Sequence, residues 1–278
     1  MPDGTDTAFD HFVVTRFSVR FTEEPHSHPE EWLRYRLAFF TELACVSLAQ
    51  QAGNPRFRWL VFFDSVREPW FQEAIDELAA GLFEPVWIDR PFFSAVADEV
   101  MARTTAAHVI TTRLDSDDAV ARDFIAAVQA EFAPTDRLAI NFDHGLQYER
   151  GGILRRYTHR SNAFLSLIER YDGASPLSTV FARPHGSIAD FAPVRHVGGA
   201  PKWLVVVHGS NLLNSTSISL LPASERNLRA HFDVVVPLPP LSRLAQFGGI
   251  LRTYASRGVK AARDPKQAMR VLKNRGVL

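Results

Sequence analysis

The sequence predicts an α/β protein whose sheet is mostly parallel. Two patterns and one bound point that way. From Phe12 to Phe132, short apolar runs alternate with segments of helical length in the order β-α-β-α-β-α-β-α, the spacing that crossover helices impose on parallel strands. Three of the strand ends carry polar groups, Thr15-Arg16, Asp64-Ser65 and Asp115-Ser116-Asp117-Asp118, and open α/β sheets bind ligands beyond the carboxyl ends of their strands. The bound is size: 278 residues with 46% hydrophobic and 22% charged side chains can bury a substantial core.

The elements follow in order. The first ten residues are polar and read as a frayed end. Phe12 to Phe21 reads as a strand, with Phe17, Val19 and Phe21 alternating after Phe12-Val13-Val14. Glu30 to Gln51 reads as a helix stopped by Gly53-Asn54-Pro55. Phe57 to Phe63 is a compact apolar strand, Pro69 to Ala80 a helix closed by Gly81, and Pro85 to Ile88 a short strand. Phe92 to Ala107 reads as a helix, His108 to Leu114 as the strand that delivers the acids, and Ala119 to Phe132 as the helix after them.

Beyond Phe132 the pattern changes. Arg137 to Tyr148 and Gly152 to Thr158 read as paired strands around a turn at Glu149-Arg150-Gly151. Asn162 to Tyr171 fits either a strand or a short helix. Trp203 to Val207 is a buried strand followed by His208-Gly209-Ser210-Asn211. Past Pro222 the chain reads helical in places, with a break at Pro237-Leu238-Pro239-Pro240. No internal repeat is visible.

Charge is balanced, with 31 basic and 31 acidic residues, so the total implies no nucleic-acid partner. Its distribution is uneven. Residues 251–278 hold eight basic side chains against Asp264 alone, which sets a +7 tail against a −7 body. Cys45 is the sole cysteine, which excludes an internal disulfide and a Cys-rich zinc site and suits a reducing cytoplasm. The sequence shows no signal peptide and no apolar stretch approaching the ~20 residues that span a bilayer.

The acidic cluster is the strongest chemical signal. Three carboxylates after a buried strand repel one another unless a cation, a donor or water offsets them. One reading is a Mg²⁺ or Mn²⁺ site for a phosphate-bearing ligand, because these ions take carboxylate and phosphate oxygens. The competing reading is helix capping, which accounts for one or two acids more readily than for three in four positions. His208, after a buried strand, fits a metal ligand or phosphate contact, and equally a hydrogen-bonded structural histidine. His26-Ser27-His28 lies between prolines and reads as a loop. Asp143-His144-Gly145 and His185-Gly186, taken singly, read as structural. The chain has no G-x-x-x-x-G-K-[ST], G-x-G-x-x-G or G-x-S-x-G. A haloacid-dehalogenase-like phosphatase would place its acids on the first strand, not the fourth.

An N-terminal β/α half, a D-x-D at the end of the fourth strand, and a later histidine after a buried strand resemble the GT-A glycosyltransferases. Within that class the chain is similar to the bacterial putative rhamnosyltransferase family, through Thr15-Arg16-Phe17, Arg113-Leu114-Asp115-Ser116-Asp117-Asp118 and Trp203-Leu204-Val205-Val206-Val207-His208-Gly209-Ser210-Asn211. The resemblance spans roughly residues 11 to 215. It implies a GT-A-like fold with a mixed C-terminal half: one domain over 1–250, with a donor half about 11–135 and an acceptor half about 136–250, then the basic tail 251–278. It implies a nucleotide-diphosphate-sugar donor, a glycan or lipid-linked acceptor, and Mn²⁺ or Mg²⁺ held by Asp115, Asp117, Asp118 and His208. Arg16, Asp64 and Arg113 would join Asp115 near the donor, and Asp143, Glu149 and Asp190 are candidates for the base. The tail, with Leu251, Tyr254, Val259, Met269, Val271 and Leu272 as an apolar face, would hold a cytoplasmic enzyme on the inner face of the membrane; a solvated end explains it equally. The alternatives to transfer are a metal-dependent phosphohydrolase or nucleotidyltransferase using the same acids, and a non-catalytic nucleotide-sugar-binding protein.

Overall fold

The structure, a computed structural model, describes residues 8–24, 28–149, 153–208, 223–237 and 269. The expectations for His26-Ser27, for Gly209-Ser210-Asn211, for Leu238 to Pro240 and, apart from Met269, for the tail 251–278 lie outside these residues. No helix among the described residues is long and apolar enough to cross a membrane.

The N-terminal half alternates as its hydrophobic pattern dictates: β1 (Asp10–Ser18), α1 (Glu30–Phe39), α2 (Val46–Ala49), β2 (Arg58–Asp64), α3 (Pro69–Ala79), β3 (Glu84–Ile88), α4 (Phe92–Met101) and β4 (His108–Arg113). Between α1 and α2, residues Phe40–Cys45 form π-helical turns, so the single helix expected from Glu30 to Gln51 has an altered register in its middle. Pro69 opens α3 at its first turn, where a missing N–H costs nothing. Gly81, at φ +77°, ends the turn that follows.

Alternate residues of the strands feed two faces. Val13, Val61, Phe63 and Ile110 pack on one side. Phe12, Leu60, Phe62 and Val109 pack on the other. Each such side chain, at 1% exposure or less, contributes roughly 2 kcal/mol through apolar burial. A polar thread runs through this sheet. Gln129 Nε2 donates to His11 Nδ1 at 3.2 Å, which leaves His11 Nε2 to donate to Thr112 Oγ1 at 2.8 Å, 2.7 Å from Ser166 Oγ.

The later chain departs from expectation in instructive ways. The helix expected from Ala119 begins as a strand, β5 (Ala119–Val120), and only then becomes α5 (Phe124–Ala130). Asp118 causes the difference: its Oδ1 accepts from Val206 N and draws the segment into pairing with a distant strand. The single strand expected from Arg137 to Tyr148 is two, β6 (Arg137–Phe142) and β7 (His144–Glu149), in different sheets. Asp143 is the corner, and Gly145 permits the turn away. A Cβ at Gly145 would lie 2.1 Å from Trp203 Cδ2, so only glycine lets β7 approach that ring. β7 and β8 (Ile153–Thr158) form the expected antiparallel pair. The undecided segment is β9 (Ser166–Arg170), a strand. β10 (Val194–Val197) has no signal in the sequence. Buried β11 (Trp203–Val207) and the capped helix α6 (Glu225–His231) complete the described elements.

The main sheet has seven strands in the order β10-β6-β9-β4-β1-β2-β3. Only β9 runs against its neighbours. The carboxyl ends of β1, β2, β4, β6 and β10 therefore share one edge. The second sheet, β5-β11-β7-β8, presents Leu146, Tyr148, Leu204 and Val206 to a third apolar cluster with Leu228 of α6 and Phe232 just after it. This is the mostly parallel, helix-flanked α/β architecture with a mixed C-terminal half that the sequence implies.

Candidate functional site

The site grows from two adjacent strand tips. β1 and β4 pair in parallel, Val14 opposite Arg113, which sets Arg16 beside the segment after β4. Arg113 grips Asp115 with two bonds, Nε to Oδ1 at 3.1 Å and Nη2 to Oδ2 at 2.7 Å, and Arg16 Nη2 reaches Oδ1 at 3.3 Å. Burial would raise the Asp115 carboxyl, but Arg113 and then Arg16 outweigh it and hold it well below the usual carboxylate range. Both guanidiniums lie near the Phe181 ring, at 5.5 Å for Arg16 and 5.9 Å for Arg113.

The next two acids point elsewhere. Asp117 Oδ2 accepts from Arg36 Nη1 at 2.9 Å and lies 3.0 Å from His208 Nε2. Arg36 Nη2 also donates to Ser116 Oγ at 2.5 Å, so one guanidinium clamps the middle of the cluster. Asp118 is buried, and its Oδ1 accepts from Val206 N at 3.0 Å. Burial, with the neighbouring Asp117 and Asp115 charges, pushes the Asp118 carboxyl well up.

Arg36 comes from α1, as do two side chains that hold His208. Tyr35 Oη is 3.2 Å from His208 Nδ1 and donates to the His208 carbonyl, and Phe39 stacks on the imidazole at 4.3 Å. Reading the sequence by strand ends misses Tyr35 and Arg36, because they sit mid-helix. Their one sequence signal is a cation within an aromatic stripe: Arg36 follows Trp32 by one helical turn and precedes Phe39 and Phe40. Its guanidinium lies 5.5 Å from the Trp32 ring.

The four-ligand metal set expected from the sequence is not assembled. Among the described residues, no three His, Cys, Asp or Glu side chains are gathered to hold an ion. The reason is local: Asp115 is committed to two arginines, Asp118 to a backbone N–H, and Asp117 shares its Oδ2 between Arg36 and His208. Asp117 and His208 remain together. Neighbouring ligands of an octahedral cation with bonds of about 2.1 Å stand about 3 Å apart, which matches their 3.0 Å separation. With Nε2 on a metal, Nδ1–H would donate to Tyr35 Oη, the outer partner that fixes a ligating imidazole. A hard divalent cation at this donor pair would replace the hydrogen bond between them and take its other oxygens from phosphate and water.

Asp64 ends β2, as expected, but its carboxylate is taken up inside the fold. Arg20 Nε donates to Oδ2 at 2.7 Å, Arg20 Nη2 to Oδ1 at 2.5 Å, and Val66 N to Oδ1 at 2.8 Å. At 2% exposure, Asp64 ties the end of β2 to the segment after β1 and presents no face to a nucleotide.

The three base candidates separate. Asp190 is exposed at the end of the 3₁₀ turn His185–Asp190. Glu149 pairs in register with Val207, one residue before His208, and its Oε2 stays 3.6 Å from Arg155 Nη2. Asp143 stands at the carboxyl edge of the main sheet. Its Oδ1 accepts from Asn141 Nδ2 at 2.7 Å and from His196 Nδ1 at 2.8 Å, and its backbone carbonyl accepts from His159 N. The His159 ring lies 6.3 Å from that of His185. His185 Nδ1 donates to the Ser161 carbonyl at 2.6 Å. Burial lowers the His185 pKa, and the charges of Arg113, Asp115 and Arg16 also reach it. Asp143 and His185 are thus linked through the backbone and ring of His159.

Comparison with known proteins gives one family and several distant folds. The family model described as "Putative rhamnosyl transferase" matches residues 24–219, well over half of the chain. No curated protein sequence matches. Among solved structures, S. aureus TarS 1-349 in complex with UDP-GlcNAc aligns at 12% identity and a TM-score of 0.45, covering 75% of this chain and 62% of that one. The same fragment in complex with UDP aligns at 13% identity and 0.42, covering 71% and 60%. HddC from Yersinia pseudotuberculosis aligns at 9% and 0.34, covering 67% and 89%. The chain thus spans about three-fifths of the TarS fragment.

Proposed function

The chain belongs to the family described as putative rhamnosyl transferase, and from that premise we propose a glycosyltransferase that moves a sugar from a nucleoside-diphosphate sugar to a glycan or lipid-linked acceptor. The family description makes rhamnose the sugar of choice. One observation carries the reading. The two carboxylates at the strand tips, Asp115 and Asp117, are met by three guanidiniums, Arg16, Arg113 and Arg36. Guanidiniums that match the cluster's three acids one for one, two of them gathered at Asp115, suit a diphosphate.

The chemistry follows from the leaving group. Negative charge builds on the diphosphate as the glycosidic bond breaks, and the anomeric carbon becomes oxocarbenium-like. Arg16 and Arg113, fixed against Asp115 and the Phe181 ring, offer preorganised positive charge to that oxygen cluster. Asp117 and His208 would hold Mn²⁺ or Mg²⁺, which when bound supplies Lewis-acid stabilisation of the same charge. Arg36 holds Asp117 and Ser116 in place. Removal of the acceptor's proton would fall at the Asp143 corner, on the same sheet edge as the donor tips. The basic tail 251–278 would give contact with anionic lipid, where each Lys or Arg near the surface contributes about 1 kcal/mol. Deletion after Leu251 should then weaken binding to anionic vesicles, and unchanged binding rejects that role.

A thermal-shift screen of nucleoside diphosphates and nucleotide sugars, with and without Mn²⁺, tests the core of the reading, because a ligand that binds only the folded state raises the melting temperature. A metal-dependent shift with a nucleotide, lost in Asp117→Ala, is the expected result. No nucleotide-dependent shift would refute it. Phosphate or pyrophosphate release without sugar transfer would favour a phosphohydrolase or nucleotidyltransferase.

A further inference from the structure

We propose that the proton acceptor of the transfer is His196, with Asp143 as its positioning residue. This rests on the glycosyltransferase reading and assigns the step that the acidic cluster does not explain.

His196 lies on β10, opposite Asn141 of β6 in parallel register. Its Nδ1 is 2.8 Å from Asp143 Oδ1. A carboxylate oxygen can only accept, so Nδ1 carries the hydrogen and Nε2 carries the lone pair. Asn141 Nδ2 donates to the same oxygen at 2.7 Å, and Asn141 Oδ1 accepts from the Asn162 backbone N–H at 3.1 Å. The carboxylate is thus fixed in the plane that orients the imidazole. This is the arrangement of an oriented base: a carboxylate behind one ring nitrogen, the other nitrogen available for a proton. Asp143 itself is less accessible to an acceptor. Its side chain is 17% exposed, against 27% for that of His196.

Position supports the assignment. β6 and β10 end at the same edge as β4. β10 lies three strand spacings from β4, past β6 and β9, so spacings of about 4.8 Å put about 14 Å along the edge between His196 and the Asp115 tip. That gap accommodates a sugar ring with its acceptor hydroxyl. The charged groups facing the pair are few. Arg160 Nε lies 4.0 Å from Asp143 Oδ2, His159 N–H binds the Asp143 carbonyl, and neighbouring Arg195 turns away to Glu131. In the proposed step the acceptor O–H proton passes to His196 Nε2 as the hydroxyl oxygen bonds to the anomeric carbon. The bond from that carbon to the diphosphate oxygen breaks, and its electron pair leaves on the diphosphate. The imidazolium then returns its proton to water.

The test uses the full chain with dTDP-rhamnose and UDP-sugars as probes. It follows release of the nucleoside diphosphate to water or to added glycan, over a range of pH. His196→Gln should keep the melting temperature and the nucleotide-dependent thermal shift of the unsubstituted chain, lower kcat about 100-fold, and erase the acid limb of the kcat/KM profile. Asp143→Asn should lower kcat while the limb persists. Turnover of His196→Gln within about threefold of the unsubstituted chain, or an unaltered acid limb, overturns the assignment. If Asp143→Asn alone abolishes turnover, Asp143 is the base. If the unsubstituted chain binds none of the probes, the glycosyltransferase reading itself falls, and this inference with it.

Discussion

His11 makes the stability of this fold depend on pH in a calculable way. It is 3% exposed, between Gln129 and Thr112 at the foot of the β1–β4 pair. Burial lowers its pKa to about 3, from 6.5 in an open chain. The unfolded chain therefore binds a proton that the folded chain refuses throughout the interval between those values. Stability from this group is complete above about pH 6.5 and falls as pH drops toward 3. Between pH 7.5 and pH 5 the loss is about 2 kcal/mol. Nine other histidines titrate over the same range, so the measurement must be differential. Urea unfolding of the unsubstituted chain and of His11→Asn, each at pH 7.5 and pH 5, isolates the effect. The variant is expected to be less stable at pH 7.5, because it loses the hydrogen-bond thread, yet to decline less on acidification by about 2 kcal/mol. Declines equal within about 0.5 kcal/mol would show that His11 accepts a proton in the folded state, and the argument from its burial would be refuted.

Three further outcomes are expected. Arg36→Met removes both charge-assisted bonds to the cluster and leaves Asp117, whose side chain is 8% exposed, short of a partner; the urea midpoint should report a loss of about 3 kcal/mol, and a loss below about 0.5 would mean that Arg36 does not hold the acids. Gly145→Ala drives a methyl into Trp203, which is fully buried and stacked on Phe164 at 5.3 Å, so stability should fall by about 2 kcal/mol or more in thermal melting; an unshifted melt would show that β7 can move away from the ring. Burial pushes the Cys45 thiol up to about 12, so iodoacetamide at pH 8 should label the chain in urea but not when folded; rapid labelling of the folded chain would contradict its buried setting.

The strands with apolar side chains on both faces were readable because burial on two sides leaves a run such as Trp59 to Phe63 no polar position. The D-x-D stood out for the complementary reason, that charge at the end of such a strand has to be met. What escaped was set by distant contacts. Ala119-Val120 has helix-compatible neighbours on its C-terminal side, and only Lys202 to Leu204 makes it a strand. β10 is four residues long at a sheet edge with two exposed side chains, too short for periodicity to register. Which acid would meet a metal was equally illegible, because the choice among Asp115, Asp117 and Asp118 is made by Arg113, Arg36 and Val206. Arg113 sits two residues before Asp115, but Arg36 and Val206 stand 81 and 88 residues from the acids they meet, separations that no short motif encodes. The division of the chain at residue 250 falls beyond the described residues.

The bond from Val206 N to Asp118 closes a loop of 88 residues, and the meeting of His208 with Asp117 closes one of 91. Long closures of this kind come late in folding, since their entropy is lost before their contacts are gained. The first four strands can pair among themselves as they leave the ribosome, but the pairing of Asp117 with His208 cannot form until β11 has docked. During synthesis the chain therefore passes through a period in which its acids are present and their partners on and after β11 are not. Full compensation of the buried acids thus becomes a report that the second sheet has closed.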